Sequence, residues 1–316
     1  MAALSFYASD ASGIWREDPA ALGHRMLRVA PESRAEVQPH AEEGLSITAD
    51  VRLDNRDELL DRFDVPTSER GSIPDCVLVL GAYELWGEDC PRHLLGDFAL
   101  AVWDARRRRL FCARDAAGTR PLYYHASSER FVFASDVRGV VAHPRVPIVY
   151  DEPWVTSYLQ HYQYERFEST YFAAVRKLAP GQALLWEDGA LRVWRWWSPD
   201  DVEPLRLASP MEYVERLRHL VREAVAARLR SAAPVGAHMS GGLDSMPVAV
   251  LAARLGGRPM DTFTWCAPPV PGRLKKVSTL RHSIAKGFPL KHRNPSGAQI
   301  APSVGGIVPL ASAPLD

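Results

Sequence analysis

The sequence predicts a layered α+β domain over roughly its first 200 residues, followed by the beginning of an α/β domain. In the first part, short apolar runs alternate with turn signals, which is typical of many strands and a few helices packed in layers. Residues 200–207 then mix prolines with charges and mark a linker. After the linker, a helical run, a short apolar run and an Ala-rich helical run follow one another, as in an α/β unit.

Strands dominate the first part. Residues 45–49 read as a strand, and residues 74–86 read as a helix that ends at Gly87. Two hairpins follow, one of which joins residues 98–103 to residues 110–113. The other joins residues 122–124 to residues 131–133.

Two groups of side chains in this part could have either a structural role or a role in nucleic-acid binding. The four arginines 106–109 fit a solvated hairpin turn better than a nucleic-acid patch, because no aromatic side chains lie in register with them. Trp194, Trp196 and Trp197 end a predicted strand, where core packing at a domain boundary is favoured over a stacking platform for bases. We therefore expect no nucleic-acid partner.

The second part begins with a well-marked helix. Ser209 is expected to cap it, Pro210 suits its first position, and Glu212 can bond back to the cap. An apolar stripe at helical spacing predicts that one face packs against other elements. Its members are Val214, Leu217, Val221, Val225 and Leu229.

The segment that carries chemistry lies between a predicted buried strand, residues 234–239, and a predicted helix, residues 248–255. A strand that runs into such a loop, with a helix directly after it, gathers backbone N–H groups and hydroxyls around an anion-sized hollow, a geometry that favours phosphate. Gly241 and Gly242 are expected to let the backbone approach pyrophosphate, and the turn is expected to need positive φ. The residues expected to make contacts to pyrophosphate are Met239, Ser240, Gly241, Gly242, Leu243, Asp244 and Ser245.

This loop is neither the GxxxxGK[ST] loop of nucleotide triphosphatases nor a GxGxxG loop, since both patterns are absent. It resembles the SGGxDS loop of enzymes that cleave ATP between the α and β phosphates and transfer AMP to a carboxylate. An ordinary glycine-rich helix start is the alternative interpretation.

Phrases in the first part extend the resemblance to a family. They are residues 53–60 (LDNRDELL), 96–104 (GDFALAVWD), 114–115 with Gly118, 121–124 (PLYY), 133–136 (FASD) and 178–181 (LAPG). Together with the loop, in order and spacing, they resemble the asparagine synthetase family and its relatives, the β-lactam synthetases and lasso-peptide cyclases. The resemblance implies an N-terminal-nucleophile αββα sandwich, then a partial α/β domain of the ATP-pyrophosphatase type, similar to adenine nucleotide α-hydrolases. It also implies ATP and Mg²⁺ as cofactors, with no metal-binding residue assigned in this chain.

The resemblance also implies that glutamine hydrolysis is lost. Where glutamine-using members expose a cysteine nucleophile, this chain has Ala2, which offers neither thiol nor hydroxyl. The family's Asn-Gly-Glu phrase falls on residues 49–51, which read Ala-Asp-Val. Asp75 matches the aspartate that holds the glutamine amino group and is the expected vestige of that site, but a helix N-terminus also favours a negative charge there, so a structural role would be enough to retain it.

The likeness fades near Cys266. Residues 261–266 resemble the family's second synthetase strand, and Trp265 falls where adenine contact is expected. We therefore expect a glutamine amidotransferase-like domain over residues 1–205, the start of an ATP-binding domain over 206–266, and a non-family tail over 267–316. The tail reads as an out-of-frame or disordered segment, with a genuine basic tail that binds an acidic partner as the alternative.

Composition adds few constraints. Seven basic residues and one acidic residue follow Cys266, which leaves 31 bases and 37 acids, a net charge of −6, in residues 1–266. The four cysteines, Cys76, Cys90, Cys112 and Cys266, lie far apart without a CxxC pair, so neither a zinc site nor a disulfide framework is indicated. With no signal sequence and no apolar run of about 18 residues, we expect a cytoplasmic protein without a membrane partner.

The sequence leaves two functions open. The first is an ATP-dependent ligase that adenylates a small-molecule or peptide carboxylate, releases pyrophosphate and forms an amide without hydrolysing glutamine. The second is a catalytically dead, truncated fragment that acts at most as a binding module. A homodimer is left open in either case.

Overall fold

The structure is a computed structural model, which describes residues 1–7, 9–161, 168–240, 242–263 and 290–293. The chain divides into two compact units, Met1–Leu205 and Arg206–Asp316. Each unit is built around its own apolar clusters.

Unit 1 is mainly β structure. Its strands are β1 (Ala11–Glu17), β2 (Ala20–Met26), β3 (His40–Glu42), β4 (Leu45–Leu53), β5 (Gly96–Asp104), β6 (Arg109–Arg114), β7 (Tyr123–Ala126), β8 (Phe131–Ala134), β9 (Arg176–Lys177), β10 (Gln182–Glu187) and β11 (Ala190–Arg195). Its α-helices are α1 (Arg56–Arg62), α2 (Asp75–Trp86), α3 (Val137–Val141) and α4 (Glu152–His161).

A six-stranded sheet in the order β11-β10-β6-β5-β4-β3 forms the centre of unit 1, with antiparallel pairing throughout. One face packs against α1 and α2, because alternate residues of β4 and β5 point to that side and meet the apolar residues of the helices. Leu53, Val79, Phe98 and Phe111 are fully buried there.

The opposite face of this sheet packs on a second strand layer. That layer contains the β1–β2 hairpin and the sheet β8-β7-β9, and Leu22, Leu122 and Tyr124 from it meet Trp103 and Leu184 of the central sheet. On the outside, α3 packs its Val140 against the β7–β8 hairpin. Helices, sheet, sheet and helix therefore follow one another, which confirms the αββα sandwich expected for this unit.

Beyond the short strand β3, side chains bond to the backbone groups at the outer edge of β4. The Gln38 amide donates to the Ala49 carbonyl at 2.9 Å and accepts from the Ala49 N–H at 2.7 Å, so it pairs with Ala49 as a strand backbone would. Farther along, the Leu53 N–H donates to the Asp75 carboxylate at 2.9 Å. These bonds satisfy buried backbone groups that have no neighbouring strand.

Most predicted elements of unit 1 are present. Helix α2 ends at Gly87, whose φ of 58° is the left-handed conformation that glycine adopts readily. The arginines of the β5–β6 turn form ion pairs with carboxylates such as Asp104 and Glu88, as a solvated turn would. Trp196 is buried and donates to the Arg114 carbonyl at 3.1 Å, in agreement with the core interpretation.

Unit 2 contains a small parallel sheet. Its elements are α5 (Pro210–Arg228), β12 (Gly236–His238), α6 (Ser245–Leu255), β13 (Met260–Phe263) and β14 (Leu290–Arg293). The strand order is β12-β13-β14, with both pairs parallel. Strand β14 lies within the range 267–316, for which a non-family tail is expected. Nothing further in that range lies among the described residues.

Helix α5 starts as its sequence predicts. Ser209 Oγ accepts from the Glu212 N–H at 3.3 Å, and the Glu212 carboxylate returns to the Ser209 hydroxyl at 3.1 Å and the Ala208 N–H at 3.3 Å. The prediction for its apolar stripe is only half right. Val225 is buried against α6 and β13, whereas Leu217 is 63% exposed. Within the described residues, only the C-terminal half of the stripe is covered.

Across the residues that the structure describes, the helices are too short or too polar to cross a bilayer.

Candidate functional site

The candidate nucleotide loop leaves the sheet of unit 2 at the carboxyl end of β12. Met239, the next residue, is fully buried, and its N–H donates to the Phe263 carbonyl of β13 at 2.7 Å. This bond fixes the exit of the loop from the sheet. Met239 is therefore a structural anchor, and the exposed part of the loop begins at Ser240.

Two hydroxyls meet inside the loop. The Ser240 N–H donates to Ser245 Oγ at 3.2 Å, and the two serine oxygens lie 3.1 Å apart. Because Ser245 is the first residue of α6, this contact closes the loop on the N-terminal end of the helix. Hydroxyls and backbone N–H groups so gathered are suited to bind an anion.

Gly242 contributes space. Its N–H donates to Ser240 Oγ at 3.3 Å, and a Cβ at this position would lie 3.3 Å from the same oxygen. The structural reason for a glycine here is the close approach to the Ser240 hydroxyl. The positive φ expected at this turn involves Gly241, which lies outside the described residues, so it stays a prediction.

Asp244 and Leu243 form the outer wall of the loop. Asp244 occupies the N-cap position of α6, but its carboxylate makes no capping hydrogen bond, and Leu243 is 88% exposed. The first N–H groups of the helix are therefore not capped by the Asp244 side chain. Trp265, the expected adenine contact, lies outside the described residues.

This donor set fits a nucleotide carried with Mg²⁺ better than a metal bound by protein alone. Among the described residues, no group of three or more His, Cys, Asp or Glu side chains is arranged to hold a metal ion. Mg²⁺ commonly uses one or two carboxylates together with substrate phosphates. Asp244 would supply such a carboxylate, and the loop N–H groups and serines would hold phosphate oxygens.

In the expected vestigial glutamine site of unit 1, the Asp75 carboxylate is bonded to other groups of the protein. Asp75 is buried, bonded to the Leu53 N–H and paired with the Arg56 guanidinium. Arg56 also donates to the Ile73 carbonyl at 2.7 Å. Asp75 thus links α1, α2 and β4, which supports a structural role for this residue.

The other positions of that site carry no catalytic side chain. Ala2 lies in an exposed 3-10 turn, Ala2–Leu4, and Leu4 packs toward α3 at the opposite layer from Asp75. Of residues 49–51, Ala49 is bonded to Gln38, and the Asp50 carboxylate lies 3.4 Å from the Arg120 guanidinium. These residues bring neither a thiol nor a hydroxyl nucleophile to the Asp75 carboxylate.

The described cysteines are poor nucleophiles. Cys76, Cys90 and Cys112 are free thiols and fully buried, and burial raises the pKa of each thiol well above its usual range. A thiol that does not ionise near neutral pH cannot act as a nucleophile.

Several important contacts could not be read from local patterns. Arg56 lies within the LDNRDELL phrase, but its partner Asp75 is 19 residues away. The pairing of Ser240 with Ser245 also depends on the turn between them. Arg56 is buried in the structure, where an arginine needs a carboxylate partner, but its burial could not be read from the sequence.

Two family models match the chain. Residues 1–197 match the model described as "Glutamine amidotransferase domain", and residues 216–292 match "Asparagine synthase". The second match continues past Cys266 into the range for which a non-family tail is expected.

Curated relatives cover most of this chain. It is 29% identical over 269 residues to asparagine synthetase [glutamine-hydrolyzing] 3 of Bacillus subtilis (strain 168), covering 83% of this chain and 43% of that protein. It is 30% identical to amidase chry2 of Gibberella zeae, covering 78% of this chain and 37% of that protein. The putative asparagine synthetase [glutamine-hydrolyzing] 2 of Methanocaldococcus jannaschii is 28% identical, with coverage of 72% and 47%. The chain spans less than half the length of these relatives.

Among solved structures, the chain is similar to glutamine phosphoribosylpyrophosphate amidotransferase from B. subtilis, complexed with ADP and GMP. The identity is 17% and the TM-score 0.35, with 83% of this chain and 56% of that chain covered.

Proposed function

The chain belongs to the asparagine synthetase family, a family of carbon–nitrogen ligases, and from this membership we propose that it takes part in ATP-dependent amide formation without glutamine hydrolysis. In this proposal a substrate carboxylate attacks the α-phosphate of ATP. The α–β phosphoanhydride bond breaks, pyrophosphate leaves, and an acyl-adenylate forms. An amine then displaces AMP and gives the amide.

The loop between β12 and α6 carries this proposal. Ser240 and Ser245 are held together at the N-terminus of α6, and Asp244 stands beside them without a capping bond. Donors placed where pyrophosphate charge develops stabilise the transition state of adenylation. Bound Mg²⁺ would neutralise part of the phosphate charge, with Asp244 as the loop carboxylate that holds it.

Glutamine hydrolysis is absent from the proposal because Ala2 offers neither a thiol nor a hydroxyl nucleophile. The amine is accordingly assigned to free ammonia or to the substrate itself. The carboxylate substrate, small molecule or peptide, belongs to the proposal, as does the absence of a nucleic-acid partner.

The test is pyrophosphate exchange into ATP, measured with a panel of carboxylates. We expect exchange that requires both Mg²⁺ and a carboxylate, and a loss of about 100-fold on Asp244→Asn or Ser245→Ala, comparable to the removal of one transition-state donor elsewhere. Asp201→Asn changes an exposed aspartate outside the loop and serves as the matched control. Exchange that survives both loop substitutions would sink the assignment of this loop.

A second candidate is a binding module that has lost catalysis. Calorimetry with Mg²⁺ and ATP separates the two: heat that depends on Asp244, without any exchange, supports the module.

The relative named amidase chry2 raises a third candidate, amide hydrolysis. Buried thiols at Cys76, Cys90 and Cys112 weigh against a cysteine-based amidase within the described residues. Amide hydrolysis without ATP would be the distinguishing observation.

A further inference from the structure

Unit 1 contains a cavity of about 560 Å³ that belongs neither to the loop of unit 2 nor to the residues around Asp75. Its volume lies in the range of small-molecule sites, roughly 300–1,000 Å³. Its wall is formed near the ends of β9 and β11 and the start of α4, and includes Asp151, Glu168, Arg176 and Arg195.

Both arginines start from fixed backbone positions. Arg195 is the last residue of β11 and pairs with Gln182, while Arg176 in β9 pairs with Tyr124. Both residues are exposed, and within the described part of the chain neither guanidinium has an ion-pair partner. A guanidinium offers a planar pair of donors that matches a carboxylate.

The two acidic residues of the cavity are each held through one carboxylate oxygen. Glu168 accepts from the Gln182 amide at 2.6 Å, and Asp151 accepts from the Trp154 N–H at 3.0 Å. Gln182 sits opposite Arg195, so Glu168 and Arg195 are positioned through the same strand pair. The second oxygen of each carboxylate makes no hydrogen bond to the described residues.

The formal charges of these four side chains sum to zero. A dianion such as phosphate would meet two carboxylates, one of which already occupies the N-terminus of α4. A ligand with one carboxylate and one ammonium group would satisfy both pairs of side chains. Trp197, Pro180 and Pro199 also line the cavity and give it apolar surface.

We propose that this cavity binds a zwitterionic amino acid or short peptide, with its carboxylate on Arg176 and Arg195 and its ammonium group on Asp151 and Glu168. The site is independent of the proposed ligase chemistry, because all of these residues belong to unit 1. Binding requires neither ATP nor the loop.

The experiment is calorimetric titration of the full chain with Ala-Phe-Ala, its C-terminal amide, its N-acetyl form and inorganic phosphate. The free tripeptide is expected to bind, and each blocked form to bind about tenfold more weakly, the effect of losing one charge-assisted contact. Arg176→Gln and Arg195→Gln should each weaken the free tripeptide about tenfold and leave the C-terminal amide unchanged. Arg145→Gln, an exposed arginine outside the cavity, is the control.

Equal affinity for free and blocked peptides would overturn the proposal, as would phosphate binding with the same arginine dependence. So would the absence of binding at concentrations on the order of 10 mM, a range in which even weak specific sites fill. Thermal unfolding checks that the variants are folded, and if they are not, the series of free and blocked peptides on the unchanged protein decides. Asp244→Asn should leave peptide binding intact, so a failure of this site and a failure of the ligase proposal are distinguishable.

Discussion

Arg114 is the side chain on which the loop between β6 and β7 depends. It is buried and donates to the carbonyls of Arg120 at 2.6 Å, Leu178 at 2.7 Å, and Gly118. The next residue, Asp115, accepts from the N–H groups of Thr119 and Arg120. The phrase Arg-Asp with a following Gly is therefore a loop-building motif in this chain.

Arg114→Met should destabilise unit 1 by about 3–5 kcal/mol, because the buried carbonyl of Leu178 and the partly buried carbonyls of Gly118 and Arg120 lose a charged donor. Arg114→Lys keeps the charge but cannot reach all three carbonyls, so we expect a smaller loss. Urea unfolding followed by tryptophan fluorescence measures both. Arg145→Met should change the free energy of unfolding by less than about 0.5 kcal/mol, and an Arg114→Met value no larger than that control would contradict the role given to Arg114.

His24 gives unit 1 a specific acid sensitivity. Its Nδ1 lies 3.0 Å from Thr48 Oγ1 between the strand layers, and burial lowers its pKa to about 4. An unfolded chain binds a proton on this histidine below about pH 6.5, whereas the folded chain does so only near pH 4. Stability is therefore lost as the pH falls through this window.

We expect this histidine to account for up to about 3 kcal/mol of the stability lost between pH 6.5 and pH 4. His24→Asn retains a polar partner for Thr48 but has no titrating group, so its stability should fall less steeply. Urea unfolding at a series of pH values gives both curves. Parallel curves for the two proteins would show that another group is responsible.

For helix α5, the start and the spacing of the apolar stripe were predicted correctly, but the burial of the stripe was not. The cap at Ser209 and the spacing of the stripe depend only on near neighbours, and both are present. Burial of the stripe depends on what packs there, and Val214 is 46% exposed whereas Val225 is buried.

The two valines form a matched pair for experiment. Val225→Ala should cost about 2 kcal/mol, since it removes apolar contact from a closed core and leaves a cavity. Val214→Ala should cost less than about 0.5 kcal/mol, because its side chain is half exposed in the folded state. Chemical unfolding followed by circular dichroism checks both, and equal costs would mean that the stripe is covered along its whole length.

Much of the fold was predictable because its signals are local. The strand–loop–helix at Ser240 follows from the order of apolar runs and glycines, and α2 follows from its apolar run and the glycine after it. The pairings of Asp75 with Arg56 and of Ser240 with Ser245 were not predictable, since they depend on how distant or turning backbone is placed. The same applies to Arg176 and Arg195, which meet one cavity from strands of different sheets.

Considered as a whole, the described part of the protein has its buried apolar side chains unevenly distributed between the two units. The three larger apolar clusters lie in unit 1, and the described part of unit 2 has one small cluster around Val225. Few buried apolar contacts imply a low free energy for local opening.

Residues 1–205 expressed alone should therefore fold, with a thermal midpoint within a few degrees of the main transition of the full chain. Hydrogen exchange on the full chain should show slow amides in β4 to β6 and fast amides in α5. Slow exchange throughout α5 would contradict the uneven distribution.

The side-chain bonds along β4 also limit how copies of the protein can meet. An open strand edge is a template on which a second chain can extend a sheet. Here the Gln38 amide is already bonded to the backbone N–H and carbonyl of Ala49, and the Asp75 carboxylate to the Leu53 N–H. These are the backbone groups that a second chain would need. A second copy of this protein therefore cannot extend the sheet along this stretch of β4, and Gln38→Ala would be the change that exposes it.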